Sequence, residues 1–97
     1  MKSLTEALDS VIDEDSFIEF VQALGEDRAD EVKKEKENPS SPYGPGANGW
    51  DSQTIEDYLF SAAGWAESSK NGMPLYKKPE NPWKRFADIL YAAKIYE

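Results

Sequence analysis

The sequence predicts an all-α fold, a small helical bundle of three principal helices plus a short N-terminal helix, with a long Pro/Gly loop at 39–49. Three observations predict it. Ser3 with Glu6 and Ser16 with Glu19 have the spacing of capping boxes. Asn81-Pro82 opens the last apolar stretch as a cap and a first helical turn would. Apolar residues recur at three-and-four spacing in separate stretches, and no run alternates with the period of a strand.

After Ser3, the residues Leu4, Ala7, Leu8, Val11 and Ile12 share one face, which predicts a short helix over about 3–12. After Ser16, a longer helix carries Phe17, Phe20, Val21 and Leu24 on one stripe. Beyond Gly25 its apolar positions thin to Ala29 and Val32 while charges crowd in, so the second half is expected to fray or project. The stretch from Asn38 to Gly49 holds three prolines and three glycines and reads as a loop.

A third helix is expected to start near Asp51 or Ser52, either of which can cap. It carries Ile55, Leu59, Ala62 and Ala66 on one stripe, with Tyr58 and Trp65 along a border. A second Pro- and Lys-containing loop runs to Asn81. The last helix puts Trp83, Phe86, Ala87 and Leu90 on its main stripe, with Ile89, Tyr91 and Ile95 extending the apolar surface around it. That breadth predicts a central position in the bundle. Residues 1–97 read as a single helical domain.

Composition narrows the chemistry. The chain of 97 residues has 19 Asp and Glu against 11 Lys and Arg, a formal net charge of −8, and neither Cys nor His. Thiol nucleophiles, histidine bases, disulfide frameworks and the usual zinc sites are excluded. Clustered cations for phosphate or anionic lipid are lacking, which argues against nucleic acid and membrane partners and for a basic one. No apolar signal core or spanning run is present, and the reading is a soluble cytoplasmic protein. The string Gly44-Pro45-Gly46-Ala47-Asn48-Gly49 has the glycine spacing of a dinucleotide fingerprint but no strand before it, so it reads as a connector and no cofactor is expected. Asp13-Glu14-Asp15 lacks the ligand alternation of a calcium loop and reads as negative charge at a helix start.

Charge is uneven along the chain. Residues 1–38 hold 12 acidic and 5 basic side chains, whereas residues 70–85 are locally basic. The two regions either neutralise each other within the fold or form patches for partners. Glu26 with Asp30 and Glu31 with Glu35 stand four apart, where like charges repel. The candidate partner-binding residues are therefore Asp15, Glu19, Glu26, Asp27, Asp30 and Glu31, together with Tyr43 and Trp50 at the loop, where an aromatic either plugs the bundle edge or stands ready for a ligand.

The segments Trp50-Asp51-Ser52-Gln53-Thr54-Ile55, Asn81-Pro82-Trp83, Ile89-Leu90-Tyr91-Ala92-Ala93 and Tyr96-Glu97 resemble an uncharacterised family of small bacterial proteins, a domain of unknown function. Its members more often show Glu-Asn where this chain has Asp51-Ser52. The resemblance implies a complete small domain and brings no catalytic residue, cofactor or substrate. Two function classes follow. One is a non-catalytic protein-binding module, in its sharpest form an immunity or antitoxin-type protein covering a basic partner. The other is a small ligand-binding or enzymatic domain with an aromatic-lined pocket around Trp50, Tyr58 and Trp65.

Overall fold

A computed structural model describes residues 3–41 and 45–95. Four helices follow in order: α1 (Leu4–Asp9), α2 (Glu14–Glu37), α3 (Ile55–Ser69) and α4 (Pro82–Ile95). Among the described residues there is no strand beyond an isolated bridge between Met73 and Tyr76. The all-α bundle expected from the stripes is the fold observed.

The caps explain where the helices begin. Ser3 and Glu6 form the expected capping box at α1. At α2 the cap is Asp13, one turn earlier than expected: its carboxylate accepts from the Ser16 N–H, while the Ser16 hydroxyl accepts from the Asp13 N–H. Ser16 is thus the third helical residue of a box and not its cap. The α3 cap is Thr54, whose hydroxyl accepts from the Asp57 N–H, because Asp51 and Ser52 are engaged elsewhere. Their N–H groups donate to the Lys94 carbonyl, and the Ser52 hydroxyl donates to the Ala93 carbonyl. The orphan carbonyls at the end of α4 are satisfied in this way by the segment that leads into α3. Asn81 caps α4 as expected, accepting from the Trp83 N–H at 2.9 Å, and its amide donates to the Ile12 carbonyl at the α1–α2 joint.

α4 is central, with α1, α2 and α3 all packed on it and α1 also on α2. The core gathers Ala7, Val11, Phe20, Leu24, Trp50 and Ala87, with Trp83, Tyr58 and Leu90 packed against it. α4 turns its alanines inward, so Phe86, expected in the core, is 48% exposed. Phe86 meets Trp83 and Phe17 in an aromatic cluster at the bundle margin. α3 is rotated toward its expected border. Tyr58 and Trp65 face inward, whereas Ile55 and Leu59 lie exposed. Polar anchors set that rotation: the Tyr58 hydroxyl donates to the Leu90 carbonyl, and Arg85 donates to the Ser69 hydroxyl and the Ala66 carbonyl while lying over the Trp65 ring.

The segment between α3 and α4 is held by the same residues. Gly72, at φ +82°, takes a left-handed conformation that suits glycine, and Met73 and Tyr76 exchange both backbone hydrogen bonds around a tight turn. The Tyr76 hydroxyl then donates to Asp88, which also pairs with Lys84.

Burial separates the two phenylalanines in energy. Phe20 is fully buried, and Phe20→Ala is expected to cost about 3 to 5 kcal/mol, whereas Phe86→Ala at the margin costs less than about 1 kcal/mol. Urea titration followed by circular dichroism checks both. Equal losses would place α4 the other way round.

Candidate functional site

The acidic half of α2 is an anchor before it is a surface. Asp27, Glu31 and Glu35 recur every four residues and face the loop of residues 45–50. Glu31 is fully buried. Its carboxylate accepts from Arg28 Nη1 at 2.6 Å, from the Asn48 N–H at 2.9 Å and from the Trp50 N–H at 3.1 Å. Glu35 accepts from the Ser40 N–H and hydroxyl and from the Ala47 N–H. Asp27 accepts from Trp50 Nε1 and from Lys94 Nζ, each at 2.8 Å. A loop too rich in Gly and Pro for regular structure therefore finds acceptors for its N–H groups on one helix face. Gly46 makes this approach feasible, since a Cβ there would overlap the Glu31 carboxyl group.

This anchor corrects the expectation that α2 frays beyond Gly25. The helix runs unbroken to Glu37, held by polar contacts where apolar ones are missing. It also relieves the anticipated repulsions: Asp30 pairs with Lys34 and Glu31 with Arg28. The basic stretch 70–85 does not neutralise α2. Among the described ion pairs, the one joining the second half of the chain to α2 is Lys94 with Asp27.

The candidate partner-binding residues divide accordingly. Asp27, Asp30 and Glu31 serve the loop, so Glu31 in particular is withdrawn from the solvent-facing acidic surface. Trp50 is 4% exposed, plugging the bundle edge with Arg28 and Lys94 over its ring. Tyr43 lies outside the described residues. Asp15, Glu19 and Glu26 remain exposed. With Gln22, which donates to Glu26, they recur at four, three and four residues and so form one row along α2.

A different side of α2, turned toward α3, carries an open feature. α2 and α3 each pack on α4 but, among the described residues, not on one another. A trough of about 390 Å³ is left between them. Its lining includes Val21, Leu24, Trp50, Tyr58 and Leu90, and Ile55, 80% exposed, stands at its lip. Trp50 and Tyr58 thus meet as the pocket reading supposed, with ring centroids 5.8 Å apart, whereas Trp65 lies against Tyr76 elsewhere. The polar groups of the lining are engaged within the fold: Arg28 with Glu31 and the Gln53 carbonyl, Ser52 with Ala93, Thr54 as the α3 cap, Tyr58 with Leu90. Burial pushes the Tyr58 phenol up to about 12. Gly25, also at the trough, lies in mid-helix, where glycine costs ~1 kcal/mol relative to alanine. A Cβ there would meet nothing within 4 Å, so the fold itself gives no reason for it.

Two predictions follow from the anchor. Glu31→Ala leaves the Asn48 and Trp50 N–H groups and the Arg28 guanidinium without their acceptor and is expected to cost about 3 kcal/mol. Glu19→Ala should change stability by less than about 0.5 kcal/mol. Denaturant midpoints compare the two, and a Glu31→Ala midpoint near wild type would show that the loop is held by other means. The second prediction concerns acid. Hydrogen bonds from Ser16, Asn48 and Ser40 hold Asp13, Asp30 and Glu35 below the ordinary carboxylate values of 3.8 for Asp and 4.5 for Glu. Groups with lowered folded values contribute stability that is present above the ordinary range and is lost as pH falls through the folded values. Melting temperature should therefore fall steadily on acidification from the ordinary values downward, and Asp30→Asn with Glu35→Gln should flatten that slope.

No curated protein and no solved structure matches this chain. A family model matches residues 13–97, from the Asp13 cap through α2, the anchored loop, α3 and α4. The chain belongs to the Family of unknown function (DUF7660).

Proposed function

We propose that the protein is a small acidic, non-catalytic protein-binding module that masks a basic partner, in the manner of an immunity or antitoxin protein. The observation that carries this reading is the row of Asp15, Glu19 and Glu26. These carboxylates are exposed on a rigid helix, and none is paired with a cation of its own chain among the described residues. A partner's Lys or Arg side chains would supply the missing counter-charge, steering encounter and fixing orientation.

The non-catalytic part of the reading has its own support. Chemistry on a chain without His or Cys would fall to carboxylates, Lys or Tyr. Here the most buried carboxylate, Glu31, is saturated by three donors, and Tyr58 keeps its proton far above neutral pH. A second reading, a small-ligand site, draws on the meeting of Trp50 and Tyr58 in the trough. Amide shift mapping separates the two, because a ligand in the trough perturbs Tyr58 and Leu90, whereas a partner on the row perturbs Asp15, Glu19 and Glu26.

The direct test is a triple variant, Asp15→Asn with Glu19→Gln and Glu26→Gln. It should melt within a few degrees of wild type, since all three side chains are exposed and only Asp15, in the first turn of α2, gives up a favourable contact with the helix dipole. Its association rate with a partner recovered from source-cell lysate should drop, most at low ionic strength, where steering is least screened. An unchanged rate at both low and high salt would reduce the row to a solubility feature.

A further inference from the structure

α2 carries an exposed stripe, whose Val21 and Gly25 also line the trough. Ile18, Val21 and Val32 on it are 41–57% exposed, and Gly25 and Ala29 between them are exposed as well. The spacing is symmetric about Gly25. Val21 and Ala29 stand four residues to either side, and Ile18 and Val32 stand seven. At eleven residues to either side the stripe ends in opposite charges, Glu14 and Lys36. All of these positions fall on one helical face.

We infer that this stripe is a self-association surface, on which a second copy of the chain lays its own α2 antiparallel across the first, with the two Gly25 residues at the crossing. A two-fold interface requires a patch complementary to itself after rotation, so that residue i meets j and j meets i. The stripe satisfies this. Ile18 of one copy faces Val32 of the other, Val21 faces Ala29, and Glu14 faces Lys36 at both ends. Parallel pairing would oppose Glu14 to Glu14 and Lys36 to Lys36, so charge selects the antiparallel arrangement. Gly25 then has a purpose the monomer does not give it, because a missing side chain at the crossing lets two backbones approach closely. The acidic row of Asp15, Glu19 and Glu26 borders the stripe and is not consumed by it, so this inference stands apart from the proposed function. The contact is one helix face wide, toward the lower end of specific interface sizes, and the dimer is accordingly one that dissociates on dilution.

Sedimentation velocity on the full chain, from roughly micromolar to roughly millimolar concentration, should show a monomer–dimer shift. Gly25→Leu should remove the dimer while the monomer melts at the same or a higher temperature, since a Cβ there meets nothing within 4 Å and leucine favours a helix interior over glycine. Glu14→Lys alone and Lys36→Glu alone should each weaken dimerisation several-fold, each disturbing both ends at once. The double exchange, Glu14→Lys with Lys36→Glu, should restore it, which adventitious stickiness would not do. Circular dichroism confirms that each variant is folded. A wild type that stays monomeric over the whole range, a dimer indifferent to Gly25→Leu, or a double exchange no better than the singles would each overturn the inference.

Discussion

The buried carboxylate of Glu31 is the contact on which the rest of the structure depends. An ionised side chain taken out of water is costly unless its oxygens are met by donors. Here they meet one guanidinium and two backbone N–H groups, from Arg28, Asn48 and Trp50. Those three partners belong to α2 and to the loop that follows it, so satisfying one charge closes the loop against the helix. With the loop fixed, Trp50 enters the core, Asp51 and Ser52 reach the open end of α4, and Thr54 is placed to start α3. The order of dependence runs from a charge to a loop, from the loop to a tryptophan, and from there to the packing of two helices.

Sequence periodicity made the four helices legible, along with the Ser3–Glu6 box, the Asn81 cap and the central place of α4. It failed wherever a polar group overruled an apolar stripe. Asp51 and Ser52 looked like caps because capping ability is a property of the residue type, and their diversion to the Ala93 and Lys94 carbonyls is a property of the fold. The rotation of α3 away from Ile55 and Leu59 could not be read from hydrophobicity, since Tyr58, Ser69 and Arg85 set it through hydrogen bonds. Of the candidate site, Asp15, Glu19 and Glu26 were legible as surface charge. Glu31 was misjudged as one more member of an acidic run. A signal did exist: Asp27, Glu31 and Glu35 fall on one line facing a segment rich in Gly and Pro, whose N–H groups must find acceptors somewhere.

Charge of one sign thus does two unlike jobs on one helix. Carboxylates on the loop-facing side replace the apolar burial that α2 lacks beyond Gly25, which makes that corner sensitive to pH in a way that Phe20 and Leu24 are not. Carboxylates on the outer side have no such duty, and their mutual repulsion is a standing cost that folding does not recover. A net charge of −8 is therefore a poor guide by itself to a binding face, because part of it is already answered inside the protein.

The interior and surface show the complementary inversion. α4 buries Ala87, Ala92, Ala93, Arg85, Asp88 and Lys94, while Ile18, Ile55, Leu59 and Phe60 lie outside. Small residues on the central helix let its neighbours come close, and close neighbours leave little room for larger side chains between them. Polar anchors then fix α3 at an angle that turns Ile55, Leu59 and Phe60 away from α4. Single exposed apolar residues need no explanation, but here they fall in register, along α2 on either side of Gly25 and along the trough that α3 borders. A fold whose centre is held by hydrogen bonds and small side chains keeps its larger apolar groups available at the surface, and their alignment is what turns that availability into surfaces for contact.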